Sequence, residues 1–203
     1  MDTIEELFRE YIHQRLLQNT LTITCGLPAA GKSLAAKMIK KAKGTEILRS
    51  DFIRRELLKD QDIFSKETAS DMNLRLKIYE EMFQRAENFA KEGSGIILDA
   101  TFIKHDLRVR AAKIAEKHHL NFLLLEVVAQ EDVCLSRIKN RTKEISTSNA
   151  ITEDAYFNNK KDYEPIDIDR IKKEVPKVYG TYIVVDTSED VPKTWSILKK
   201  IEF

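Results

Sequence analysis

Eight consecutive residues, Gly26-Leu27-Pro28-Ala29-Ala30-Gly31-Lys32-Ser33, fit the pattern G-x-x-x-x-G-K-[ST]. The apolar run Leu21 to Cys25 precedes them and a helix-forming segment follows. A glycine-rich turn between a strand and a helix can curl so that successive N–H groups face one anion. The helix start adds unpaired N–H groups and the positive end of its dipole. The backbone of Gly26, Ala29, Ala30, Gly31, Lys32, Ser33 and Leu34 is therefore the expected phosphate cradle. In that setting Lys32 reaches the β- and γ-phosphates of ATP, and the Ser33 hydroxyl ligates Mg²⁺.

Phosphoryl transfer also needs an acid on the metal side, an in-line acceptor and positive charge over the transition state. Asp99 ends the apolar run from Gly95 and suits an acid that holds Mg²⁺ through water alongside Ser33. Asp51, after the short run from Thr45, suits orienting and deprotonating an acceptor hydroxyl. A carboxylate near pKa ~4 is a weak base, but a desolvated one suffices against a hydroxyl that loses its proton late. Either acid could instead cap a helix N-terminus. Arg54, one turn beyond Asp51 on the same face, would grip an anionic part of the acceptor or orient Asp51. Arg137 and Arg141 are also one turn apart, at the entrance to the polar stretch Thr142 to Asn149. They would close over the triphosphate as part of a lid spanning about residues 137–165, the alternative being a solvated helix face. Thr187, just after the last apolar run, joins the nucleotide-binding set. His13, His105, His118 and His119 follow no ligand pattern.

These residues need elements to hold them. Apolar spacing predicts an amphipathic N-terminal helix over 3–17 within an appendage of residues 1–19, with Thr3 and Glu6 as a capping box. A strand at 21–25, the loop, and a helix to about Ala42 closed by Gly44 come next. Then follow a strand at 45–51, a short helix from Asp51, a loop at 61–66, and a long helix from about Glu67 to Gly93. Strands at 95–101, 122–128 and 182–186 alternate with helices at 105–119, from Glu131, and at 152–161. A proline-bearing connection runs through Pro165 and Pro176, and Val191 to Ile201 reads as a closing helix. Strands alternating with helices imply an α/β fold: a three-layer α/β/α sandwich around a mainly parallel, five-stranded sheet. The loop, Asp51, Asp99 and Thr187 each follow a strand, so such a sheet gathers them at its carboxyl edge.

The segments G-L-P-A-A-G-K-S, L-R-S-D-F-I-R-R, I-I-L-D-A-T-F and R-I-K-N-R resemble the P-loop kinase family. That family is typified by polynucleotide 5′-kinase, its small-molecule-kinase relatives and zeta-toxin-like kinases. The likeness runs from about residue 21 to 190. D-A-T-F is equally similar to related domains of unassigned substrate, including some fused to aminoglycoside-phosphotransferase-like domains. The resemblance implies a general-base role for Asp51, contact of Arg54 with an acceptor phosphate, and an acid at Asp99 with Thr101 beside it. It places Arg108 at the position of an arginine common after the Asp99–Thr101 segment, counted here with the substrate-binding residues, and it makes Arg137 and Arg141 the lid arginines.

Composition narrows the class. The 203 residues suit one domain, and 33% are charged with a net charge of only +1, so no strongly basic nucleic-acid footprint is present. Cys25 and Cys134 sit in apolar patterns and read as buried thiols. With an acidic N-terminus and no apolar stretch of spanning length, a cytoplasmic chain without a membrane partner is expected. The expected activity is ATP- and Mg²⁺-dependent transfer of the γ-phosphoryl group to a hydroxyl. The alternatives are an ATPase switch that controls a partner, a polynucleotide 5′-hydroxyl kinase, and a toxin-like kinase of nucleotide sugars. A small phosphorylated or hydroxylated acceptor is favoured over nucleic acid.

Overall fold

Parallel strands buried on both faces read as continuous apolar runs, and the runs identified above form the centre of a sheet. The structure, a computed structural model, describes residues 6–58, 72–141, 148 and 150–203. Its six strands are β1 (Thr20–Cys25), β2 (Glu46–Arg49), β3 (Ile96–Asp99), β4 (Asn121–Val128), β5 (Gly180–Asp186) and β6 (Ser196–Glu202). They are ordered β2-β3-β1-β4-β5-β6, and all neighbours are parallel except β6, which runs antiparallel to β5.

Eight α-helices lie among the described residues: α1 (Phe8–Gln14), α2 (Lys32–Lys43), α3 (Ser50–Leu57), α4 (Met72–Lys91), α5 (His105–Lys117), α6 (Glu131–Lys139), α7 (Glu153–Asp162) and α8 (Ile168–Glu174). Side chains alternate along each strand, so the sheet feeds two cores. Ile96, Leu98, Phe122 and Leu124 meet Ile78, Met82 and Phe83 of α4 and Val109 of α5 on one face. Ile97, Leu123, Leu125 and Val127 meet Phe8, Ile12, Ala36, Ile39 and Cys134 on the other. The three-layer α/β/α architecture is thus as expected. No helix among the described residues is long and apolar enough to cross a membrane.

The sheet has six strands rather than five, because Val191–Ile201 is not a helix. Pro192–Thr194 forms a single 3₁₀ turn and Ser196–Glu202 pairs with β5. Val185 faces Ile197 while Val184 faces Lys199, so Leu198 is an extra residue in a β-bulge and is exposed. The bulge puts Ile197 and Ile201, four apart, against opposite cores, which mimics a helical period in the sequence. α8 is a second difference, lying inside the stretch read as a connection. The Asp167 carboxylate accepts from the Arg170 N–H at 2.9 Å, and Ile171 is buried. The Thr3 end of the N-terminal helix, the loop at 61–66 and the first residues of the long helix lie outside the described residues. So does most of the polar stretch after Arg141.

Candidate active site

Strand register places the chemistry. Asp99, the last residue of β3, is flanked by Thr24 of β1 on one side and Arg49 of β2 on the other. Its Oδ1 accepts from the Thr24 hydroxyl at 3.3 Å, and its Oδ2 accepts from Arg49 Nε at 3.1 Å. The next helix, α5, starts six residues later with Lys104 at its N-cap, so Asp99 is not a capping residue. Asp51 is inside the first turn of α3, whose N-cap is Arg49, so it too is not a cap.

The phosphate loop is held from behind. Gly26 has φ 132°, and a Cβ there would lie 2.2 Å from the Val127 carbonyl oxygen, so only glycine fits. The Thr187 hydroxyl donates to the Ala30 carbonyl at 2.7 Å and is fully buried. Arg137 Nη2 donates to the Thr187 carbonyl at 2.8 Å and Nη1 to the Ala29 carbonyl at 3.4 Å. Lys32 Nζ donates to the Leu27 carbonyl at 2.6 Å and folds back over its own loop. Burial pushes the Lys32 ammonium down to about 8, opposed by the charges of Asp99 and Asp51 and reinforced by Arg141.

A cleft of about 880 Å³ opens at the carboxyl ends of the strands. Of the residues singled out from sequence, it brings together Ala29, Gly31, Lys32, Ser33, Leu34, Asp51, Arg54, Asp99, Thr101, Arg137 and Arg141. Gly26, Ala30, Thr187 and Arg108 are not among its lining residues. Thr187 therefore shapes the loop from beneath instead of presenting its hydroxyl to nucleotide. Arg108 is corrected more sharply, from substrate contact to internal clamp. It has no exposed surface, and its guanidinium donates to the carbonyls of Phe102, Ile103, Glu164 and Pro165 at 2.7 to 3.2 Å. It thereby ties the turn after Asp99 to the segment that follows α7. The same segment is pinned by Glu126, which accepts from the Tyr163 hydroxyl at 2.5 Å and from the Tyr182 hydroxyl. Arg141 Nη1 donates to the Ala150 carbonyl at 2.7 Å and to Ser148 Oγ at 3.3 Å. Burial lowers the pKa of Arg141, and the charge of Asp51 counters this.

Of the cleft residues that escaped the sequence reading, three stand out. Arg49 is buried, with Nη2 3.4 Å from Ser33 Oγ and 3.9 Å from Asp51 Oδ2. An arginine closing an apolar strand beside an acid was the signal, since such a charge needs a partner. The Tyr79 hydroxyl accepts from the Phe102 N–H at 3.0 Å and lies 3.5 Å from Thr101 Oγ1. Buried Trp195 also lines the cleft, donating from Nε1 to the Glu189 carbonyl at 2.8 Å. Both were absorbed into apolar periodicity in the sequence.

The residues fit Mg²⁺. An alcohol, Ser33, and a carboxylate, Asp99, are hard oxygen donors, and a guanidinium already sits between them. Among the described residues no group of three or more His, Cys, Asp or Glu side chains could hold a metal unaided. Nucleotide phosphates and water would complete the shell, the usual arrangement for this cation.

A family model described as an AAA domain, AAA_33, matches residues 21–166. The chain belongs to this family. An uncharacterized protein of Mycobacterium tuberculosis is 25% identical over 145 residues, 69% of this chain and 29% of that protein, and one of Mycobacterium bovis matches equally. The AAA_33 chain thus spans less than a third of the length of these curated relatives. Its fold is that of P-loop kinases. A gluconokinase from Sinorhizobium meliloti has a TM-score of 0.58 at 15% identity, with 86% of each chain covered. A sugar kinase from Janibacter scores 0.57 at 15%, covering 87% of this chain and 88% of that one. Kti12 of Chaetomium thermophilum, in complex with ADP-AlF3, scores 0.54 at 14%, covering 72% and 81%.

Proposed function

We propose that this AAA_33 chain is an ATP- and Mg²⁺-dependent kinase that moves the γ-phosphoryl group to a hydroxyl of a small acceptor. The observation that carries the reading is that Ser33, Asp99 and Asp51 all lie within 4 Å of one guanidinium, that of Arg49. The side chains suited to the metal and the one suited to the acceptor therefore share one cluster. A hydrolase would use a carboxylate there only to orient water; Arg54, lining the same cleft, adds a cation suited to an organic acceptor.

In this reading Asp51 accepts the acceptor's proton as its oxygen attacks the γ-phosphorus, and ADP departs with the bridging oxygen. Lys32 and Arg141 face the same centre and offset the charge that spreads over the transferring group. Arg137, tied to Ala29 and Thr187, fixes the loop. Ser33 and Asp99 would hold Mg²⁺, which would neutralise charge on the nucleotide phosphates. Arg54, which lines the same cleft, would meet an anionic part of the acceptor. That two structural neighbours are a gluconokinase and a sugar kinase supports a small hydroxylated acceptor.

The test is transfer from labelled ATP into metabolite and 5′-hydroxyl oligonucleotide pools, with wild type and Asp51→Asn side by side. Small-molecule products are expected, with transfer about 10²-fold slower in the variant and ATP affinity unchanged. Equal rates in both proteins refute the base. Labelling that rises with oligonucleotide length and collapses with salt makes the acceptor a polynucleotide, because several phosphates would then be engaged. ATP hydrolysis without any labelled acceptor, indifferent to Asp51→Asn, makes the chain an ATPase module.

A further inference from the structure

The position suited to a divalent cation is already served by a cation of the protein. Both Asp99 oxygens are engaged, Oδ1 by Thr24 and Oδ2 by Arg49. The same guanidinium approaches Ser33 Oγ at 3.4 Å. Arg49 and Asp99 are 8% and 4% exposed, so their attraction is weakly screened. A carboxylate so enclosed would carry a heavy desolvation cost without a partner. The geometry also offers a second resting place. The Phe52 ring lies 4.4 Å from Arg49 Cζ, and Asp51 Oδ2 is 3.9 Å from Nη2. A modest turn of the side chain would exchange Asp99 and Ser33 for Asp51 while keeping the ring contact.

We infer that Arg49 is an internal counter-ion for the metal position: it holds Ser33 and Asp99 in place in the nucleotide-free protein and is displaced toward Asp51 when Mg²⁺ enters with nucleotide. Metal loading is then a cation exchange within the protein. Two consequences follow from charge alone. Asp99 and Ser33 stay positioned before metal arrives, and the metal's affinity is reduced by the work of displacing Arg49. The exchange also delivers positive charge to the side of the cleft where the acceptor hydroxyl is to be deprotonated. Arg49 is thus a positioning residue, acting through Ser33, Asp99 and Asp51.

This inference rests on the nucleotide-binding part of the proposed function, and the experiment separates the two. ADP affinity is first measured by calorimetry in the presence of EDTA for wild type, Arg49→Gln and Arg49→Lys. Mn²⁺ is then titrated into each ADP-saturated protein, and the free ion is followed by electron paramagnetic resonance. Arg49→Gln should bind Mn²⁺ roughly ten- to a hundredfold more tightly, the range for removal of one competing charge-assisted hydrogen bond. Arg49→Lys keeps the charge beside Asp99 and should stay near wild type. Unchanged or weakened Mn²⁺ binding in Arg49→Gln overturns the inference. If that variant does not fold, the arginine Nε–H resonance of Arg49 in wild type serves instead. It should shift and lose exchange protection when Mg²⁺ joins the ADP complex, and a resonance that stays put overturns the inference. Failure to bind ADP refutes the proposed function alone. Mn²⁺ titration of the free protein then reads the exchange, with the same ordering of variants expected and equal affinities overturning it.

Discussion

Alkaline pH should loosen nucleotide from this cleft through a single lysine. Lys32 is packed against its own loop with Nζ on the Leu27 carbonyl, and burial brings its pKa down from 10.5 to about 8. Bound phosphates favour the charged ammonium, so the pKa in the complex lies above that in the free protein. The sign follows: affinity is constant while Lys32 is charged in both states and falls once the free protein loses its proton. With a free-protein pKa of about 8, the charged fraction drops roughly twentyfold between about pH 7.5 and 9.5, and the dissociation constant should rise by that order. Nucleotide phosphates finish titrating below this window, which keeps the ligand constant. The assay is fluorescence titration of an ADP analogue at fixed free Mg²⁺, with Lys32→Arg as the control, because arginine stays charged throughout. A flat wild-type profile, or the same decline in Lys32→Arg, would refute the reasoning.

Two further outcomes are expected. Arg141→Ala should slow transfer more than it weakens ATP binding, since Arg141 faces Asp51 and Lys32, and single-turnover kinetics beside equilibrium binding checks this; a change confined to KM would leave only a ground-state contact. Arg108→Met should cost about 3 kcal/mol or more in urea unfolding, because four carbonyls, two of them on the buried residues Phe102 and Ile103, lose their donor, and a loss under about 1 kcal/mol would contradict the clamp.

Much of this is legible in the sequence. The glycine pattern located the loop, and continuous apolar runs located β1, β3, β4 and β5, because a strand covered on both faces has no polar side to blur its limits. Asp51 and Asp99 were visible because parallel strands deliver the residue after each run to one edge. What stayed hidden depended on contacts between distant segments. Arg49 becomes a site residue only when β2 is placed beside β3, a pairing across 50 positions. Arg108 looks the same in sequence whether it meets a ligand or four carbonyls. β6 was misread because its bulge at Leu198 breaks the alternation that marks a strand.

The Arg108 clamp carries a consequence for how such chains diverge. Its four hydrogen bonds go to main-chain oxygens, which every amino acid supplies in the same place, so residues 102, 103, 164 and 165 can drift without weakening them, while the Tyr163 ring, 5.1 Å from Cζ, adds a side-chain contact. No replacement at any of those four sites can make good the loss of the arginine. A search for pairs of positions that change together would therefore miss these four hydrogen bonds. The persistence of Arg108 would resemble that of a ligand-touching residue, although what it preserves is the relative placement of two backbone turns.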